Sequence, residues 1–112
     1  MIEGLEKLLA AGKDSPELRF GLGNAHLRAG DYDSAALHLN ACIEQKPSYT
    51  AAWKLLGKAL LQQGNTVDAL AAYQKGINVA EQQGDIQAEK EMTVFCKRLL
   101  KELSAKGKGA NE

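Results

Sequence analysis

The sequence predicts an all-α fold in which helical hairpins are repeated and stacked on one another. Two copies of one pattern coincide when the 112-residue chain is shifted by 34 residues, the separation between Gly23 and Gly57. The coinciding pairs are Leu22/Leu56, Gly23/Gly57, Ala25/Ala59, Leu27/Leu61, Gly30/Gly64, Ala35/Ala69 and Ile43/Ile77. A fixed period of this length is typical of helical repeats that bury an apolar face against the next unit. Apolar residues also follow helical periodicity along most of the chain, and no segment alternates as a strand would.

The first two helices have clear boundary signals. An apolar face predicts a helix over about 2–11, which ends at Gly12. Ser15 followed by Pro16 predicts a new start, because a hydroxyl can cap the helix and proline suits its first position. This second helix is expected to end at Gly30, since glycine readily adopts the left-handed conformation that stops a helix.

The next three helices repeat these signals. The expected caps are Asp31 for the third helix, Ser48 for the fourth, and Asn65 with Asp68 three residues later for the fifth. The expected ends are Pro47, Gly64 and Gly84. The hairpins therefore pair the second helix with the third and the fourth with the fifth.

The last helix, at about 86–104, has an apolar arc wide enough to pack on one neighbour. The arc contains Met92, Phe95, Cys96, Leu99, Leu100 and Leu103, and Val94 lies opposite. Residues 105–112 contain no large apolar side chain, so they are expected to form a disordered tail.

Composition excludes several classes of protein. Fourteen basic residues balance fourteen acidic ones, so no overall field attracts nucleic acid or a membrane surface. The two cysteines, Cys42 and Cys96, lie far apart in the sequence; neither belongs to a C-x-x-C spacing, and nothing suggests a disulfide framework. No signal peptide and no apolar run of about 20 residues is evident. A cytoplasmic, soluble protein without a cofactor is expected.

The motif residues identify a family resemblance. Trp53-x-x-Leu56-Gly57, Gly64-Asn65 and Ala69-x-x-x-Tyr73 closely resemble the tetratricopeptide repeat. Leu22-Gly23, Gly30-Asp31-Tyr32, Ala35-x-x-x-Leu39 and Pro47 fill the same places in the first copy. Departures from the pattern are Arg19 for tryptophan, His26 and Leu60 for tyrosine, and Glu81 for proline.

The resemblance implies a right-handed superhelix formed by a single domain over residues 1–104. Its expected parts are an N-terminal half-repeat at 1–13, repeats at 16–49 and 50–83, and a capping helix at 85–104. Lys90-Glu91 stands where the motif has Leu-Gly, so the last helix is interpreted as a cap rather than a third repeat.

The resemblance also implies a non-catalytic adaptor, because the first helix of each hairpin in this family lines a concave groove that binds a peptide. The groove positions carried over are Phe20, Asn24, Leu27, Arg28, Lys54, Lys58, Leu61 and Met92, with Gln62, Ala88 and Phe95 as further candidates. Lys54 and Lys58 would favour an acidic or C-terminal peptide segment, although the same residues could form a solvated helix face. Phe20 is either an apolar anchor for the ligand or a core residue. Since Phe20 also replaces a lysine of the chaperone-binding members, chaperone binding is not expected.

The sequence leaves three alternatives open. The protein is expected to be monomeric, but weak self-association through Val94 and Phe95 on the capping helix is a second function. His26, His38 and Cys42 could hold a zinc ion, although no fourth ligand is evident. Lys90, Lys97 and Lys101 form a basic stripe that either meets an anionic partner or is solvated. No serine or cysteine nucleophile has a recognisable base, so no enzyme is expected.

Overall fold

The computed structural model describes the backbone of residues 1–111 and the side chains of residues 1–106. Residues 1–111 form six helices and no strand. The helices are α1 (Ile2–Ala10), α2 (Pro16–Arg28), α3 (Tyr32–Gln45), α4 (Thr50–Gln62), α5 (Thr66–Gln83) and α6 (Ile86–Asn111). The predicted all-α repeat class is confirmed.

The helices pack in chain order into an elongated stack of 55 × 30 × 19 Å. The α2–α3 and α4–α5 hairpins join through contacts between α3 and α4, and α6 packs on α5. Helices α2 and α4 also touch, as do α4 and α6, so these three helices line one face. This shared face holds the site described below.

Most of the predicted helix boundaries are correct. The Ser15 hydroxyl accepts a hydrogen bond from the Leu18 amide at 3.0 Å, and the Asp31 carboxylate accepts one from the Ser34 amide at 3.2 Å. Gly30 and Gly64 follow the ends of α2 and α4 with φ of +81° and +85°, a conformation that favours glycine.

Two predicted caps are wrong. Helix α4 begins at Thr50 rather than after Ser48, because the Tyr49 amide donates to the Lys46 carbonyl and Ser48 lies inside that turn. Asn65 precedes α5 as expected, but its side chain makes no cap bond; its amide group donates to Gln63 Oε1 at 3.3 Å. These starts depend on the preceding turns rather than on a capping side chain.

Glycine allows the two helices of each hairpin to approach closely. A Cβ atom on Gly23 would lie 2.6 Å from Leu39 Cγ, and one on Gly57 would lie 2.6 Å from Tyr73 Cζ. Leu39 and Tyr73 are fully buried. The 34-residue pattern therefore pairs each motif glycine with a large residue on the following helix.

Helix α6 is longer than predicted. The expected end was residue 104, followed by a disordered tail, but residues 105–111 continue the helix. Ala105 and Lys106 are good helix formers and favour continuation of the helix beyond residue 104. Residue 112 lies outside the described residues.

Candidate functional site

The face shared by α2, α4 and α6 contains an open groove of about 520 Å³. Its lining residues are Asn24, Leu27, Arg28, Tyr32, Leu55, Lys58, Leu61, Gln62, Tyr73, Phe95 and Arg98. The lining residues that belong to α2 and α4 lie mostly in the C-terminal halves of these helices, and those that belong to α6 lie near its middle. The groove is therefore a feature of one half of the shared face.

The floor of the groove is apolar and follows the repeat. Leu27, Leu61 and Phe95 are each separated by 34 residues, so they occupy the same position on α2, α4 and α6. The Phe95 ring packs against Tyr73 with a centroid distance of 5.2 Å. Burial raises the pKa of Tyr73 to about 12, so its phenol is neutral at pH 7. This floor can bind an apolar ligand side chain.

The rim of the groove is cationic. Three exposed cations form this rim, one from each of α2, α4 and α6: Arg28, Lys58 and Arg98. Within residues 1–106, none of these three side chains forms an ion pair. Their charges are therefore available for an anionic ligand above an apolar floor.

Five of the eight predicted groove residues lie together in the groove. They are Asn24, Leu27, Arg28, Lys58 and Leu61, and the further candidates Gln62 and Phe95 also line it. The helical spacing of 24, 27 and 28, repeated at 58, 61 and 62, accounts for this agreement because those residues share a helix face.

Phe20 lies outside the groove. Its ring stacks on Tyr49, with a centroid distance of 4.9 Å and an interplanar angle of 23°. Both residues are half-buried and pack against the core between the two hairpins. Phe20 therefore joins α2 to the start of α4, and the ring packs as a core residue.

Lys54 also lies outside the groove, and its charge is engaged. Lys54 Nζ lies 3.1 Å from Glu91 Oε2 on α6. The hydrogen bond from Lys54 lowers the pKa of Glu91, so the carboxylate is ionised at neutral pH. The expected stack of two unpaired lysines is therefore reduced to Lys58.

Met92 was predicted to line the groove, and this placement is wrong. Its side chain is 0% exposed, and it packs over Gly76 of α5, where the glycine leaves room for the thioether. Residues 92, 96 and 99 form the face of α6 that packs on α5, while Phe95 and Arg98 face the groove. The sequence alone could not choose between these two faces, because both contain large apolar residues.

Four lining residues were missed: Tyr32, Leu55, Tyr73 and Arg98. Arg98 had a recognisable signal, since it follows Phe95 by three residues and so lies on the same helix face. Tyr73 belongs to the repeat motif, and no signal in the sequence places it in the groove; its side chain is only 1% exposed. It both packs against Gly57 and contributes to the groove.

The two histidines do not converge on a metal position. The rings of His26 and His38 stack with centroids 5.5 Å apart, and Arg19 Nη1 donates to His38 Nδ1 at 3.0 Å. Cys42 is fully buried, which raises the pKa of its thiol to about 11. Among the described side chains, no group of three or more His, Cys, Asp or Glu residues could hold a metal ion.

None of the helices in the part of the chain that the structure describes is long and apolar enough to span a membrane. The longest, α6, contains many charged residues.

The profile of the tetratricopeptide repeat matches residues 3–50 and 20–86. A TPR repeat-containing protein of Pseudomonas aeruginosa is 56% identical over 99 residues, which span 88% of this chain and 94% of the relative.

Solved structures agree with this match. The solution structure of a protein from Bordetella parapertussis is 41% identical, with a TM-score of 0.80 over 91% of this chain and 89% of that chain. A tetratricopeptide repeat domain protein of Salinibacter ruber is 26% identical, with a TM-score of 0.71 over 77% and 87% of the two chains. The chain therefore belongs to the tetratricopeptide repeat family, whose members generally mediate protein–protein interactions and are generally non-catalytic.

Proposed function

We propose that this protein is a non-catalytic adaptor that binds a peptide segment of a protein partner in the groove. The segment is acidic, or ends in a carboxylate, and carries an apolar side chain. The observation that carries the proposal is the combination of a continuous apolar floor with three cations that form no ion pair among the described side chains.

The chemistry of the groove supports this class of ligand. Arg28 and Arg98 each offer a guanidinium fork that suits a carboxylate, and Lys58 between them offers a point charge. Asn24 can donate to or accept from a peptide backbone. An apolar ligand side chain against Leu61 would supply the buried contact from which most binding energy in small interfaces comes.

Charge reversal inside the groove tests the proposal. The double variant Lys58→Glu/Arg98→Glu changes exposed residues and is expected to fold like the wild type, which circular dichroism checks. A partner captured from a native lysate by the wild type is expected to be lost by this variant. Capture is also expected to weaken as salt rises, because exposed charges are screened.

The matched control is Lys7→Glu/Lys75→Glu, which changes the net charge by the same amount at exposed positions that do not line the groove. The control is expected to retain the partner. A partner held equally by all three proteins would contradict the groove assignment.

Self-association through α6 is a second candidate function. Val94 and Leu100 are 55% and 48% exposed, so this helix presents apolar side chains to solvent. Phe95, the other predicted contact, packs on Tyr73 instead. Light scattering across a concentration series tests this candidate: a dimer that Val94→Glu disrupts would support it, and a constant monomer mass would remove it.

A further inference from the structure

We propose that Glu91 acts as an internal carboxylate that occupies Lys54 and confines the groove to one half of the shared face. This inference rests on the proposed peptide-binding function, since it names a residue that determines which ligands the groove accepts. A partner carboxylate would have to displace Glu91 to reach Lys54.

The position of the pair on the helices is the first argument. Lys54 lies one helical turn before Lys58 on the same face of α4, and Glu91 lies one turn before Phe95 on α6. Both later residues line the groove. The pair therefore stands where the groove would continue toward the N-terminal ends of α4 and α6.

The groove is closed in the same way between α2 and α4. Phe20 lies one turn before Asn24 and is stacked on Tyr49 at 4.9 Å. At its N-terminal end the groove is therefore bounded by an aromatic contact between α2 and the start of α4, and by an ion pair between α4 and α6. Of the two closures, the ion pair is the one that an acidic ligand can replace with an equivalent interaction.

Repeat position explains why a glutamate can stand at position 91. Gly23, Gly57 and Glu91 are each separated by 34 residues, so they occupy equivalent places on α2, α4 and α6. At the first two, a Cβ would collide with Leu39 or Tyr73 of the following helix. No helix follows α6 within residues 1–111, so a long side chain fits there and reaches Lys54.

The strength of the pair sets the size of the effect. The side chains of Lys54 and Glu91 are 30% and 39% exposed, so water and salt screen their attraction. A pair of this kind contributes little to stability, and a ligand can break it reversibly. We expect Glu91 to change affinity by about two- to five-fold, rather than to block binding.

An experiment without a ligand tests whether the ion pair with Glu91 makes the Lys54 amine less reactive. The wild type and Glu91→Gln are treated briefly with an N-hydroxysuccinimide acetate ester, and the acetylation of each lysine is followed by mass spectrometry. Lys54 is expected to react more slowly than Lys58 in the wild type and to approach the Lys58 rate in the variant. Equal rates in the wild type, or no increase in Glu91→Gln, would overturn the inference.

A binding experiment tests the consequence for ligands. The probe is an array of short synthetic peptides, each with four acidic residues around two apolar ones. Binding of the array is measured for the wild type, Glu91→Gln and Lys54→Gln/Glu91→Gln. The single variant is expected to bind the best peptides about two- to five-fold more tightly, and the double variant is expected to lose that gain.

The outcomes separate the two proposals. Binding that Lys58→Glu/Arg98→Glu abolishes but Glu91→Gln leaves unchanged would overturn the role of Glu91 and support the groove. A gain that persists without Lys54 would also overturn the role of Glu91. An array bound by neither the wild type nor Glu91→Gln would overturn both the acidic ligand class and the inference built on it.

Discussion

The ring of Tyr73 occupies the space in which a side chain on Gly57 would begin, with Tyr73 Cζ 2.6 Å from the position of the missing Cβ. Gly57 lies on α4 and Tyr73 on α5, so this contact sets how closely the two helices of the second hairpin approach. Tyr73 also lines the groove beside Phe95. The repeat glycine therefore supports the site as well as the fold.

The packing change in Gly57→Ala is expected to cost about 1–3 kcal/mol, for a net destabilisation of up to about 2 kcal/mol. The added methyl group meets a fully buried ring, and overpacking of a tight core has about this cost. Alanine favours helix by about 1 kcal/mol relative to glycine, which offsets part of the loss. Urea denaturation followed by circular dichroism measures the change in the free energy of unfolding.

Gly4→Ala is the matched control. Gly4 is also inside a helix, α1, but a Cβ there would meet nothing within 4 Å. Only the propensity term remains, so this variant is expected to be neutral or more stable by up to about 1 kcal/mol. A loss of stability as large as that of Gly57→Ala would show that packing against Tyr73 is not the cause.

Met92→Ala is expected to destabilise the protein by about 2–5 kcal/mol, because it leaves a cavity between α5 and α6. Met92→Leu nearly conserves volume and is expected to cost less than about 1.5 kcal/mol. Thermal unfolding of both variants checks this. A Met92→Ala variant as stable as the wild type would contradict the buried position of this side chain.

Replacing Ser15 or Ser48 with alanine is expected to change stability by different amounts, because only Ser15 caps a helix. Ser15→Ala removes the hydrogen bond to the Leu18 amide and is expected to cost about 1 kcal/mol. Ser48→Ala is expected to change stability by less than about 0.5 kcal/mol, because Ser48 caps no helix and is exposed. Chemical denaturation of the two variants side by side decides between them; equal losses would restore Ser48 as a cap.

Asp14 connects the loop before α2 to the first hairpin through hydrogen bonds, and its contribution to the stability of the protein should depend on pH. Arg19 donates to both carboxylate oxygens, at 2.9 and 3.1 Å, and Gln45 of α3 donates to one at 3.0 Å. These bonds lower the pKa of Asp14 from 3.8 to about 2. A lowered folded pKa gives stability that is present above pH 3.8 and is lost as the pH falls through about 2.

Asp14→Asn is therefore expected to unfold at a lower temperature than the wild type at pH 7. The difference should shrink as the pH falls below about 4 and disappear only below about pH 2, where the Asp14 carboxyl is protonated in the folded protein as well. Calorimetry across this range measures it. A difference that stays constant with pH would show that the charge of Asp14 is not responsible.

The same residues show why the first repeat tolerates its departure from the motif. Arg19 stands where the second repeat has Trp53, whose indole donates to the Pro47 carbonyl at 2.9 Å. Arg19 instead bridges Asp14 and His38. A polar network thus replaces an aromatic side chain at this repeat position, and no local pattern in the sequence predicts it.

The 34-residue repeat, the stops at Gly30 and Gly64, the Ser15 cap and the equivalent helix positions of Leu27, Leu61 and Phe95 follow from the sequence by itself. Each depends on local backbone conformation or on helical spacing, which a linear pattern records.

Only the tertiary structure decided the roles of Met92, Phe20 and Lys54. The ion pair of Lys54 joins residues 37 apart in sequence, and Met92 is buried because Gly76 on α5 leaves room for it. Helical periodicity states which residues share a face. Which neighbouring helix covers that face depends on how the helices pack, and this packing determines which cations line the groove.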